Sequence, residues 1–425
     1  MLDIKFIREN PDLIQAGARR KHIEFDVKAL LEIDEIRRRL MTEIEELRAK
    51  QNRASDNVAA ITDASEKETA LRDLKELKEA LSKKGYEFKK VDAEFERLML
   101  DVPNIPDPSV PDGESDRDNV EVRAWGVPAA FDVEPKNHVA LMEALDLADL
   151  ERGTKVAGFR GYFLKNEAAS LSLALWQFTF DMFRDAGYTP VLAPALVREA
   201  NLVGSGHFPQ AREDVYKTQD ELYLSATAEI AMMGMYADEI LREDELPKKF
   251  LAFSPCFRRE AGAAGKDTKG IYRLHEFFKI EQLIVSVADH QDSVRLHEEL
   301  TANAEKVLQS LKLPYRVVIN CGGDIGRAHV KTYDIEVWIP SERRYRESHS
   351  ASYYHDFQTR RLNTRYRGTD GKIRFCYSLN NTAIATPRIL IALLENYQQA
   401  DGSVVVPDVL QKCTGFSRIE PRRRE

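Results

Sequence analysis

The sequence predicts an α+β chain: a long antiparallel α-helical hairpin of the coiled-coil kind at the N-terminus, followed by a mostly antiparallel sheet flanked by helices. Three observations predict it. Two successive apolar stripes with spacings of three and four run between Leu30 and Leu98, a dense proline cluster ends them, and the remainder alternates helix patterns with strands whose apolar residues recur every second position.

Residues 1 to about 25 read as a short capping segment. Leu30, Ile33, Ile36, Leu40, Ile44 and Leu47 then form one apolar face of a helix, with Arg, Glu and Lys between them. The pattern weakens through SDNVAAITDA and resumes with Leu74, Leu77, Leu81, Phe88, Val91, Phe95 and Leu98; Ser65 and Glu68 have the form of a capping box opening the second helix. Helices of this length would project roughly 45 Å at 1.5 Å per residue. Each stripe needs a partner, and the other helix is the nearest one. A dimerisation coiled coil or a spacer fits this pattern. So does a nucleic-acid arm whose contacts come from Arg37, Arg38, Arg39, Lys50 and Arg53.

Pro103, Pro106, Pro108 and Pro111 cannot continue either helix. They divide the chain into an arm at 1–102, a proline-rich linker at 103–118 and a second domain at 119–425. In that domain LSLALWQFTFDMFRDAGY, HQDSVRLHEELTANAEKVLQSL and RILIALLENYQQ read as helices. TPVLAPALV, FLAFSPCFRR, YRLHEFFKIEQLIVS, YRVVIN, TYDIEVWIP, RLNTRYR and IRFCYSLN read as strands. Polar and apolar residues alternate in many of them, which favours an antiparallel sheet over a parallel one. Neither GxGxxG nor GxxxxGK[ST] occurs, so a bound nucleotide would use neither common glycine-rich loop.

The 425 residues carry 62 basic and 70 acidic side chains, a net charge of -8 that gives no global attraction to nucleic acid. The four cysteines form no CxxC unit, which argues against a disulfide framework or a four-cysteine zinc site and for reduced thiols in the cytoplasm. The opening MLDIKFIREN lacks the apolar stretch of a signal peptide, and no run of eighteen apolar residues suggests a membrane span.

Three segments could carry chemistry. FRREAGAAGKDTKGIYRLHEFFKIE places Arg258, Glu260, Arg273 and Glu281 on two strands joined by a polar loop, with Phe277 as a flat face. Such a hairpin can pin a polyanion, or be a salt-bridged surface hairpin. In RESHSASYYHDFQ, Glu347 precedes a run of hydroxyls suited to a hard cation such as magnesium. His349 and His355 lack a third ligand for zinc. In NNTAIATPRILIALLENYQQ, Arg388 opens an apolar helix and requires a partner, either a triphosphate or a structural carboxylate.

Together these segments resemble the three signature motifs of the class II aminoacyl-tRNA synthetases. From IRENPDLI to LLENYQQADGSVVVPDVL the layout resembles the seryl-tRNA synthetase family in its common bacterial-like form. The resemblance implies an ATP-dependent, magnesium-dependent and zinc-free ligase that forms seryl-adenylate from L-serine and passes the seryl group to tRNA(Ser), with tRNA(Sec) a second candidate. It implies a homodimer, with the helix and strand around Pro194 at its interface, and an arm that reads tRNA by shape and backbone. Arg258 would hold the α-phosphate and the activated carboxylate, and Glu260 the adenine amino group. Arg273 would hold the far phosphates, Phe277 would stack on the base, and Arg388 would hold the γ-phosphate. Glu347 and Ser350 would bind the metal. Thr227, Glu229, Arg258, Glu281, Asn380 and Thr382 would bind serine.

The chain also departs from the family pattern. His349, Tyr353 and Tyr354 are bulkier than the usual residues, and Asn381 and Pro387 stand where glycine is common. Proline is accepted in the first turn of a helix, so an adapted, working site is expected. Two other readings are a synthetase relative that loads another carrier and a non-catalytic tRNA-binding relative. The long arm weighs against the first. The presence of Arg258, Glu260, Arg273, Glu347 and Arg388 together weighs against the second.

Overall fold

A computed structural model describes residues 1–422 other than Ala264 and Lys266. The chain divides into two compact units, Met1–Arg19 with Ile23–Pro103, and Arg20–His22 with Asn104–Glu425.

The first unit is the helical hairpin. Helix α1 spans Val27–Ala60 and α2 spans Ala64–Asp101. Leu30, Leu40 and Ile44 of α1 and Leu74, Phe95 and Met99 of α2 are buried between them. The second helix does not open on a Ser65 capping box. Asp63 is the N-cap, and its carboxylate accepts from the backbone N–H groups of Ser65 and Glu66, leaving Ser65 inside the first turn. Asp34 is fully buried, and Arg8 grips both its oxygens at 2.7 and 2.8 Å.

The second unit is built on an eight-stranded sheet. Its strands are β1 (Val120–Trp125), β2 (Thr189–Leu192), β3 (Lys248–Phe257), β4 (Glu276–Ser286), β5 (Tyr315–Ile319), β6 (Lys331–Ile339), β7 (Arg344–His355) and β8 (Tyr377–Ala385). The spatial order is β1-β5-β6-β7-β8-β4-β3-β2, and every pair is antiparallel except β2 with β3. Helices α3 (Asn166–Asp185), α4 (His290–Ser310) and α5 (Thr386–Asn396) pack against it. Leu171 and Leu175, Leu296 and Leu300, and Ile389 and Leu393 from these helices meet Leu251, Ile280, Ile284, Ile335 and Leu379 of the sheet in one core. Burying each such side chain contributes about 1.5–3 kcal/mol.

Two strand expectations change. RLNTRYR is only partly extended: Phe357–Leu362 is a helix, closed by Asn363 in the left-handed region at φ 55, and the strand is Arg365–Arg367. TPVLAPALV splits into Thr189–Leu192 and Leu196–Val197, with Pro194 in the break. Among the described residues, no helix is long and apolar enough to cross a membrane.

A two-lobed candidate active site

Alternation along the central strands decides which side chains reach the cleft. In β4, Phe277, Lys279 and Glu281 line it, while Gln282 turns back to donate to the Leu300 carbonyl on α4. In β8, Asn380 and Thr382 line it, and Asn381 also donates to Leu300 O, at 2.6 Å. The asparagine at a usual glycine position therefore ties the sheet to α4 and leaves the cleft unaltered. In β7 the register slips: His349 pairs with Ile335 but Glu347 with Glu336, so Ser348 is the extra residue of a bulge. Without that bulge, residues 347 and 350 would point to opposite faces. With it, Glu347 and Ser350 share the cleft.

One lobe, about 540 Å³, is lined by Arg258, Glu260, Tyr272, Arg273, Phe277, Glu347 and Arg388 among others. Arg258, Glu260 and Arg273 stand on the loop just beyond the strand ends rather than on the strands. Arg258 N–H donates to His275 O at 2.9 Å, which closes that loop. Glu260 has a φ of 55, a left-handed conformation costly for a residue with a Cβ, and its carboxylate accepts from Arg273 Nη1 at 2.6 Å. The Arg258 guanidinium lies 5.3 Å from the Phe277 ring centre and makes no side-chain hydrogen bond or ion pair among the described residues. The Nε–H groups of Arg273 and Arg346 are buried without a hydrogen-bond partner. Of these two only Arg273 lines the lobe, and its unbonded Nε–H beside the Arg258 guanidinium suits a polyphosphate.

Arg388 sits in the first turn of α5, just after Pro387, the second residue of the helix, where a missing N–H breaks no intrahelical bond. A cation at a helix N-terminus is disfavoured by the helix dipole, and here Glu347 compensates: Oε1 is 3.1 Å from Arg388 Nη1. The Arg388 guanidinium also lies over Tyr272, at 4.8 Å. Burial works against the Glu347 charge, but Arg388 and Arg258 outweigh it and hold the carboxyl below its usual range. Its side chain is ringed by protein yet opens 45 % of its surface into the cleft. Next to it burial and the Glu347 charge push the Asp334 carboxyl up, and its Oδ1 has no hydrogen-bond partner among the described residues. Among the described residues no three His, Cys, Asp or Glu side chains converge as a metal cage. Glu347 and Ser350 instead offer a partial, all-oxygen set that fits a magnesium ion completed by phosphate oxygens and water.

The second lobe, about 870 Å³, shares Arg258, Lys279, Glu347 and Thr382 with the first. Thr227 caps the short helix Ala228–Met233, accepting from the Glu229 N–H at 3.3 Å. Burial raises the Glu229 carboxyl to about 7, and Gln358 Nε2 donates to it at 2.6 Å. Glu281 accepts from the Thr382 hydroxyl at 3.1 Å and is paired with Lys279. His207 also lines this lobe; burial lowers it to about 4, so its imidazole is neutral.

All the cleft residues expected from the sequence meet in these two lobes. His349 does not: it is buried, lowered to about 4 by that burial, with Nε2 on Ala383 O at 3.1 Å and Nδ1 on Ser348. His355 stands apart, bonded to His290 at 3.2 Å. Sequence reasoning missed Tyr272, Lys279, Asp334, Gln358 and His207. Lys279 was within reach of it, because it lies midway between Phe277 and Glu281 on an alternating strand. On the arm, Arg37 is engaged across the hairpin by Asp92 at 2.6 Å and Arg38 by Asp34 at 3.2 Å, while Arg39, Lys50 and Arg53 are exposed.

Comparison with known proteins agrees with this geometry. The tRNA synthetase class II core domain (G, H, P, S and T) matches residues 213–397, and the seryl-tRNA synthetase N-terminal domain matches residues 1–106. The serine–tRNA ligase of Deinococcus radiodurans is 44% identical over 422 residues, covering 99% of both chains. That of Caldicellulosiruptor saccharolyticus is 45% identical, covering 99% of this chain and 100% of its own. A solved seryl-tRNA synthetase from Pyrococcus horikoshii, complexed with ATP, superposes with a TM-score of 0.90 at 40% identity over 100% of both chains. Two family profiles, full-length relatives and a matching structure thus agree with the cleft, and the chain belongs to the seryl-tRNA synthetase family.

Proposed function

We propose that this protein uses ATP to activate L-serine as seryl-adenylate and then transfers the seryl group to tRNA(Ser). The observation that carries the reading is the joining of two unlike lobes at one guanidinium. A cationic lobe with an aromatic face meets a larger lobe of carboxylates and hydroxyls, and Arg258 belongs to both.

In this reading Phe277 stacks on adenine and the Glu260 region holds its edge. Arg273 and Arg388 hold the outer phosphates. Glu229 takes the serine ammonium, and Glu281 with Thr382 reads its hydroxyl. A site built to hydrogen-bond a hydroxyl rejects alanine, which leaves those groups unpaired. Arg258 aligns the carboxylate with the α-phosphate for in-line attack, which breaks the bond to pyrophosphate. The terminal ribose hydroxyl of tRNA then attacks the acyl carbon and releases AMP. Positioning and charge neutralisation provide the acceleration. Magnesium, held by Glu347 and Ser350, would neutralise phosphate charge; no zinc enters this scheme.

The arm supplies the tRNA contact through Arg39, Lys50 and Arg53, with Arg38 beside them. Recognition by shape extends the reading to tRNA(Sec). A homodimer is supported by exposed apolar side chains: Leu173, Leu192 and Leu196 are 62%, 80% and 49% exposed, and Leu173 lines a groove with Trp176 and Phe278. Four free cysteines are consistent with action in the reducing cytoplasm. Charging total tRNA with radiolabelled serine tests the overall reading. Serine esterified to tRNA(Ser) is expected, and a folded enzyme that leaves every tRNA uncharged contradicts it.

A further inference from the structure

The serine-side lobe contains a polar side chain to which the family resemblance assigns no role. Tyr354, on β7, is 3% exposed, and its hydroxyl donates to Asn380 Oδ1 on β8 at 3.2 Å. Its ring is also fixed. His329 meets it edge to face, with ring centres 4.8 Å apart. Both Tyr354 and Asn380 line the lobe, with Thr227, Glu229, Glu281 and Thr382.

A primary amide has one accepting end and one donating end. The Tyr354 hydroxyl donates to Oδ1, which supports the orientation of the Asn380 amide in which Nδ2 is left for the lobe. Its Nδ2 has no hydrogen-bond partner among the described residues. Turned by 180°, the amide would present an acceptor beside the carboxylates of Glu229 and Glu281, a poor neighbour for the carboxylate of an amino acid. Held as it is, it offers that lobe a neutral donor.

We propose that Tyr354 is a positioning residue for the amino acid: by donating to Asn380 Oδ1 it keeps Asn380 Nδ2–H available to an oxygen of bound serine. The inference rests on the proposed function. It adds a specificity role for a tyrosine at one of the positions where this chain departs from the family pattern.

The test is steady-state ATP–pyrophosphate exchange by the full-length enzyme and by Tyr354→Phe, varying serine and ATP separately, with thermal melting of both. Phenylalanine keeps the ring against His329 and removes the hydroxyl, which faces Glu229 as well as Asn380, so an unshifted pH dependence of the serine KM is expected if the effect runs through Asn380. The KM for serine is expected to rise about tenfold, as one lost hydrogen bond to a buried group implies, with kcat and the KM for ATP within about twofold. Asn380→Asp, which keeps the size but cannot donate, is expected to raise the KM for serine at least as much. An unchanged serine KM in Tyr354→Phe overturns the proposal, leaving the ring as packing only. Equal rises for serine and ATP also overturn it, since they would reflect a general loosening. Absence of serine-dependent exchange in the unaltered enzyme would overturn the proposed function and this inference together. Normal exchange there with an unaffected Tyr354→Phe overturns this inference alone.

Discussion

Arg388 Nη1 and Glu347 Oε1 stand 3.1 Å apart at the mouth of the cationic lobe, so the residue assigned to the γ-phosphate is already held by the residue assigned to the metal. Each therefore answers for the other. Glu347→Gln is expected to raise the magnesium concentration needed for half-maximal exchange by about tenfold or more, since one of few protein ligands is lost. Arg388→Lys should lower exchange by about a hundredfold, because a point charge cannot replace a planar fork. Magnesium titrations of exchange rate check both.

Arg258 and Arg273 should separate activity from stability. Arg258 makes no side-chain hydrogen bond or ion pair among the described residues, so Arg258→Ala removes only its longer-range support of the Glu347 charge, which Arg388 still pairs. Exchange is expected to fall by about a thousandfold with melting nearly unchanged. Arg273→Ala strips Glu260, whose side chain is only 9% exposed, of its closest ion-pair partner. It should lower both activity and the melting temperature. Calorimetry beside exchange assays distinguishes the two.

Glu229 gives a pH signature. Its folded carboxyl is raised to about 7 by burial, above the value of about 4.3 for an unfolded chain. A raised carboxyl stabilises the fold fully below the unfolded value, and that contribution is lost as pH rises through about 7. Ammonium binding requires the opposite, charged form. The KM for serine should therefore rise by nearly tenfold for each pH unit below about 7. Glu229→Gln should remove the stability dependence in that window and cost about a hundredfold in kcat/KM for serine. Exchange kinetics and melts between pH 5 and 8 measure both trends.

The arm's arginines should divide by what they touch. Arg37 is paired with Asp92 and lies over Phe95 at 4.6 Å, so Arg37→Ala should destabilise the hairpin by about 1 kcal/mol. Replacing Arg39, Lys50 and Arg53 together by alanine should leave melting and serine-dependent exchange unchanged. It should raise the KM for tRNA and flatten its salt dependence. Charging assays at two ionic strengths provide the check.

The hairpin and the antiparallel sheet were legible because both depend on periodicity, which a single sequence displays. The cleft residues were legible through the family resemblance, since nothing in the spacing of Arg258, Glu281 and Arg388 shows that they converge. The Ser348 bulge was not legible. It reverses the facing of everything before it on β7, and the polar run RESHSAS gives no sign of where alternation breaks. Asn381 and His349 were read as changes to the pocket because their strand faces were unknown. Neither lines the cleft: Asn381 bonds to Leu300 O on α4, and His349 bonds to Ala383 O on β8. Asp63 displaced Ser65 as the cap because the helix starts two residues earlier than a Ser65 capping box would place it.

The most direct measurement is amino-acid-dependent ATP–pyrophosphate exchange with magnesium, comparing serine with alanine, threonine and cysteine. Exchange with serine, at least about a hundredfold above each competitor, is the predicted result for a lobe that pairs Glu281 and Thr382 with a hydroxyl. Absence of exchange with serine in a folded, magnesium-supplied enzyme, or equal exchange with alanine, would contradict the account.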